Sequence, residues 1–127
     1  MTSAVVALLV FEAADCLMAV PASEVAHLEE AQARPALDRT AFDLGEYFGG
    51  HGSDGPWLRW ARGTRSAWLR VRCVVDVVPV ALSGLRPMPA LLRGQWRTRA
   101  FLAAGVRGDD VFLLLDPARL AADRVAS

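Results

Sequence analysis

Residues 66–80 read SAWLRVRCVVDVVPV, with Trp68, Arg70 and Arg72 on one parity and Leu69, Val71 and Cys73 on the other. Successive side chains of a strand point to opposite faces, so this period of two describes a strand with one polar and one apolar side. Pro79 has no N–H to give to a ladder and is read as the end of that strand. Upstream, WLRWA at 57–61 is its partner. RGTR at 62–65 is the turn between them, with Gly63 supplying the backbone freedom that a tight hairpin needs.

Two more hairpins bracket this one. Residues 4–11 are strand-like, EAAD at 12–15 turns the chain, and CLMAV at 16–20 returns until Pro21. In ASEVAHLEE, Ser23 is placed to cap a brief helical turn or to open a third strand through Val25, His27 and Leu28. The polar segment 31–40 reads as a loop, AFDLGEYF at 41–48 as a helical turn, and GGHGSDGP at 49–56 as a connector. SGLRPMPALL at 83–92 is an irregular crossing. Near the C-terminus, RTRAFLAAGV and DVFLLLD pair around Arg107, Gly108 and Asp109. The run VFLLL reads as a strand buried on both faces. Asp116 follows as a helix cap, with Pro117 where its missing N–H costs nothing.

The chain has 127 residues, 54% apolar and 22% charged, which is enough for a single globular domain spanning 1–127. Fourteen acidic residues balance fourteen arginines, so no global field gathers nucleic acid or anionic lipid. Lysine, asparagine and isoleucine are absent, the mark of a GC-rich coding bias. No lysine or arginine precedes Arg34, and Glu12 and Asp15 interrupt the first apolar run; the expectation is a cytoplasmic chain without a secretion leader or a membrane span. Cys16 and Cys73 lie in apolar runs and are expected to be buried, reduced thiols. With His27 and His51 they show none of the close spacing of a zinc site, so no metal or cofactor is expected. Phosphate-binding loops, nucleophile elbows and HExxH elements are missing. Asp109 and Asp110 are neighbours that a strand would point apart, and Glu29 and Glu30 read as a solvated edge. An enzyme is not expected.

Three blocks, in order, resemble the CheW-like family, the adaptor module of bacterial chemosensory arrays. They are LLVFEAADCLMAVPASEVAHLEE at 8–30, SAWLRVRCVVDVVPVALSGLRPMPALLRG at 66–94, and AFLAAGVRGDDVFLLLDPARL at 100–120. The chain is a shortened and divergent relative by this comparison. Of the family's central block only FDLGEYFGG at 42–50 has a counterpart, and the Asn-Leu-Arg-Gly turn is absent. Trp68 and Arg72 stand where the family has a glycine and an aspartate.

The resemblance implies an all-β fold of two small SH3-like barrels, one short of strands, with a brief C-terminal helix. It implies a non-catalytic adaptor that couples methyl-accepting chemoreceptors to a CheA-type histidine kinase. Carried over by position, a groove for the receptor helix takes in Val25, His27, Leu28, Val74 and Val77. Contacts to the kinase fall on Arg86 and Leu91, and Trp68 with Arg72 forms a candidate new interface on one strand face. Missing strands would leave an open sheet edge and a route to a homodimer. Two other readings stand beside this one. One is an adaptor that has lost receptor coupling and serves another signalling or motility partner. The other is a β-barrel that grips single-stranded nucleic acid through Trp57, Trp60, Trp68 and Trp96 interleaved with arginines.

Overall fold

Alternating apolar residues become ten strands in a computed structural model that describes residues 4–30, 41–88 and 99–120. They are β1 (Val5–Ala13), β2 (Cys16–Pro21), β3 (Val25–Glu29), β4 (Ala41–Asp43), β5 (Trp57–Arg62), β6 (Arg65–Arg70), β7 (Cys73–Ala81), β8 (Arg86–Pro87), β9 (Phe101–Arg107) and β10 (Asp110–Leu115). A short helix, α1 (Leu44–Tyr47), 3₁₀ turns at Ala22–Glu24 and Leu82–Gly84, and a helical turn at 117–120 complete the elements described. One sheet has six strands in the order β7-β1-β2-β10-β9-β8, and the other has four in the order β3-β5-β6-β4. The fold is all-β with two subdomains.

The six-stranded sheet must curl. Laid flat, its outer strands would stand about 24 Å apart at the usual strand spacing. Yet Ala81 ends β7 and Arg86 starts β8, a reach of at most about 17 Å for extended chain, and part of that link is a tight 3₁₀ turn. Inside the curl lies a small core of Leu8, Val10, Ala19 and Phe112, joined by Val78 and Val80 from one end of the sheet and Leu85 near the other. A Cβ on Gly105 would run into the Phe112 ring, so glycine there lets the ring lie flat against β9.

The larger core lies between the sheets. The first hairpin serves both: Leu8 and Val10 face the small core, and Phe11 and Ala13 face the large one; Ala19 and Met18 divide in the same way. Phe42, Leu44, Leu58, Trp60, Ala67, Leu69 and Val71 supply the opposite wall. Each large apolar side chain removed from water contributes roughly 1.5–3 kcal/mol, so this layer outweighs any surface pairing. Edge-to-face Phe42–Tyr47 and Tyr47–Phe48 contacts and a stacked Phe48–Phe101 pair tie α1 to β9.

All three expected hairpins are present. The first turns on Ala14 and Asp15, both at positive φ (51° and 61°), the handedness that matches strand twist. Asp116 caps the last helical turn as expected, its carboxylate accepting from the Ala118 N–H at 3.1 Å. Several expectations need correction. Residues 66–80 do not form one strand: β6 ends at Arg70, and Val71 and Arg72 carry the chain from the four-stranded sheet into the six-stranded one. Pro79 does not end β7, which runs to Ala81; β7 is the outermost strand, so a missing N–H leaves no ladder bond unmade. Cys16 and Cys73 are exposed, because each begins a strand beyond the edge of the core. Residues 41–43 pair as a strand before the helical turn of α1 starts. Val111, at the start of the run read as buried on both faces, is 60% exposed.

The crossing at Val71 and Arg72 is tightly held. Val71 N–H donates to the Pro56 carbonyl at 3.1 Å and Arg72 N–H to the Glu12 carbonyl at 2.8 Å. Gly55 packs so closely beneath that a Cβ would collide with the carbonyl oxygens of both crossing residues. Gly55→Ala is therefore expected to lower unfolding free energy by about 3 kcal/mol, whereas Gly63→Ala, at φ +61° in open space, loses about 1 kcal/mol. Urea unfolding of the two variants checks this, and equal losses would show that the crossing is not tight.

Candidate interaction surfaces

Two outward faces gather the residues singled out from the sequence. On the six-stranded sheet, β1 and β7 pair Leu9 with Val77, Ala7 with Pro79 and Val5 with Ala81. Cross-strand partners share a face, so these six uncharged side chains form one apolar ladder. Val5 is 65% and Val77 51% exposed, while Leu9 is half-buried against the main core. The register slips between Val10 and Phe11, which leaves Val75 unpaired and turned outward, 39% exposed. Val74, next to it, is half-buried and packs on the main core instead.

The second face lies on the four-stranded sheet. Register places His27 beside Arg59 and Arg59 beside Trp68, one row across β3, β5 and β6. The next row holds Glu29, Trp57, Arg70 and Asp43. Arginine lies over tryptophan in both rows: Arg59 is 5.4 Å from the Trp68 ring centre, and Arg70 is 5.4 Å from that of Trp57. His27 Nε2 is 2.6 Å from Glu29 Oε1, which ties the rows together. Sequence reasoning placed His27 in the receptor groove and Trp68 in a separate interface. The structure puts them on one face, two strands apart.

No protein-family model matches the sequence, and no curated protein matches it. A solved structure does share its architecture: the scaffolding protein TtCheW from Thermoanaerobacter tengcongensis superposes with a TM-score of 0.69 at 15% identity, covering 90% of this chain and 86% of that one. The fold is CheW-like. Within this CheW-like fold, Leu28 is 55% exposed on β3, whereas Val25 is half-buried against the main core. Arg86 is exposed on β8, opposite Ala104. Leu91 and Trp96 lie outside the described residues. Trp68 and Arg72 do not share a strand face, since β6 stops between them; Arg72 is exposed and pairs with Glu12 at 3.0 Å. Among the described residues no three His, Cys, Asp or Glu side chains converge as a metal site, and no helix is long and apolar enough to cross a membrane.

The CheW-like fold also carries a polar latch that sequence reasoning missed. Glu24 sits in the 3₁₀ turn where the chain leaves β2 for β3. Its carboxylate accepts from Trp60 Nε1 at 2.9 Å and from Arg62 Nε and Nη2 at 2.8 and 3.0 Å. The same guanidinium reaches Asp116 at 3.2 Å, so one arginine of the four-stranded sheet grips both a link between the sheets and the end of β10. The Arg62 hydrogen bonds hold the Glu24 carboxyl below the ordinary glutamate range, more than offsetting its partial burial. Asp43 does comparable work locally, accepting from Gly45, Glu46 and Ser53 N–H groups and so joining α1 to the glycine-rich connector. Glu24 acts through partners 36 and 38 residues away, which no spacing rule shows, whereas the Asp43 bonds to Gly45 and Glu46 are a local helix cap.

A lowered folded-state pKa gives stability that is present above the ordinary glutamate value of 4.5 and is lost as pH falls through the folded value. Glu24→Gln is accordingly expected to cost about 1 kcal/mol at pH 7. Thermal unfolding of both proteins should show that gap closing toward pH 3. A gap that is constant with pH would exclude the Glu24 charge as its source.

Proposed function

We propose that this chain is a non-catalytic adaptor of a bacterial chemosensory system, working in the cytoplasm as a CheW-type scaffold between chemoreceptors and a CheA-type histidine kinase. The observation that carries this reading is an exposed aliphatic ladder on β1 and β7 of a CheW-like fold. An amphipathic receptor helix needs such a surface: apolar, extended and without competing charge. Val77 and Leu28 supply exposed aliphatic area to the proposed groove, Val25 and Val74 pack on the main core, and His27 joins the proposed contact only from the opposite face of β3. Arg86 and Leu91 are the proposed kinase contacts. The mechanism is positional, in that burial of the ladder against a helix fixes where the kinase sits.

The nucleic-acid reading is not favoured. Trp57 and Trp60 are buried, and Arg59, Arg62 and Arg70 lie over Trp68, Trp60 and Trp57. Bases would have to displace those arginines to stack.

Val77→Asp is expected to reduce co-sedimentation with receptor-containing membranes about tenfold, because it buries a charge in the helix contact. Thermal stability should fall by no more than about 1 kcal/mol, since half of the side chain is already in water and the remaining cost is the poorer strand propensity of Asp. Undiminished co-sedimentation would remove the ladder from the receptor interface, and failure of the wild type to bind any receptor or kinase would remove the adaptor reading itself.

A further inference from the structure

We infer that the row His27–Arg59–Trp68 on the outer face of the four-stranded sheet is a carboxylate-binding strip, and that its ligand is an Asp or Glu side chain on an acidic segment of a partner protein. This surface is separate from the β1–β7 ladder and does not depend on the receptor reading. Among the described residues Arg59 is exposed and makes neither an ion pair nor a hydrogen bond; its contact is with the Trp68 ring, 5.4 Å from guanidinium carbon to ring centre. The neighbouring acids are engaged elsewhere: Glu29 by His27, and Asp43 by the Gly45, Glu46 and Ser53 N–H groups.

The geometry selects the ligand. A guanidinium lying over an aromatic ring uses its face for the ring and keeps its in-plane N–H groups for other partners. Those N–H groups form the fork that a carboxylate matches with two parallel hydrogen bonds. Trp68 is half-buried and held between Arg59 and Ala41 across the sheet, so it is a fixed platform. The arginine is thereby ordered before the ligand arrives, which lowers the entropy lost on binding. His27, next to Arg59 in register, holds Glu29 at 2.6 Å and so keeps that carboxylate engaged away from the Arg59 fork. Base stacking would need the ring face that Arg59 already covers, so the strip suits a carboxylate better than a nucleotide.

The test is a calorimetric titration of the full chain with a Glu-rich peptide and with its Gln-substituted counterpart. Saturable binding of the Glu peptide is expected, at least about tenfold weaker for the Gln peptide and for Arg59→Gln. Trp68→Ala should also weaken binding, by removing the platform. Circular dichroism should show Arg59→Gln folded as the wild type, because Arg59 is exposed on the sheet face; should Trp68→Ala unfold, Arg59→Gln decides alone. Equal affinity for the two peptides, or an unchanged Arg59→Gln, overturns the proposal. So does tighter binding of a single-stranded oligonucleotide of equal charge.

Discussion

The whole arrangement depends on the two residues at which the chain leaves one sheet for the other. Val71 and Arg72 have no strand partners of their own, yet their N–H groups are taken by Pro56 and Glu12, one from each subdomain. A buried, unpaired N–H would cost about 1–3 kcal/mol, so the fully buried Val71 can stand at the crossing only because its N–H is satisfied. Gly55 makes this possible by bringing its backbone closer than any side chain would allow. With the crossing fixed, Leu69 and Val71 close one wall of the main core while Val74, three residues on, packs on it from the other sheet.

That crossing also explains what the sequence could and could not reveal. The three hairpins and the Asp116 cap rest on local signals, and local signals are visible as alternation, turn residues and an Asp-Pro step. A change of sheet is not visible in this way. The inward parity of Ala67, Leu69 and Val71 continues without a break up to the crossing, because one core receives residues from both sheets. Reading on through Cys73 as a buried position followed naturally and failed, since that residue sits opposite Glu12 at the outer end of β1. Pro79 misled for a related reason: proline stops a central strand, and β7 is an outer one. The row of His27, Arg59 and Trp68 was hidden because β3 pairs with β5 across about thirty residues of chain, and register at that range is set by the shared core and not by nearby residues.

Charge in this molecule acts locally. Net charge is zero, and most ion pairs are exposed, where each contributes at most about 1 kcal/mol. The Glu24–Arg62–Asp116 group differs because its carboxylates are the less exposed partners, with side chains 20% and 13% accessible, and because Trp60 adds a neutral donor. It joins segments that the apolar layer alone would leave free to slide, since dispersion and hydrophobic contact are non-directional. Tryptophans serve the same end from the other side, covering arginine stems on the sheet face and filling the core beneath.

The outer strands show how the exposed apolar surface is kept for side-on contact. An unpaired strand edge invites another strand, and the usual defences are proline, bulges and short length. Pro79 stands within β7, a register slip interrupts both β7 and β3, and β4 and β8 have three and two residues. Edge-to-edge pairing is therefore disfavoured at the very strands that carry Val77 and Leu28. Their side chains project from the sheet faces, which remain open while the edges are blunted. A helix or loop that packs against a face can use them; a strand seeking backbone hydrogen bonds meets proline or a bulge. The same devices that discourage aggregation thus leave the sheet faces, and not the edges, as the open apolar surface of the described residues.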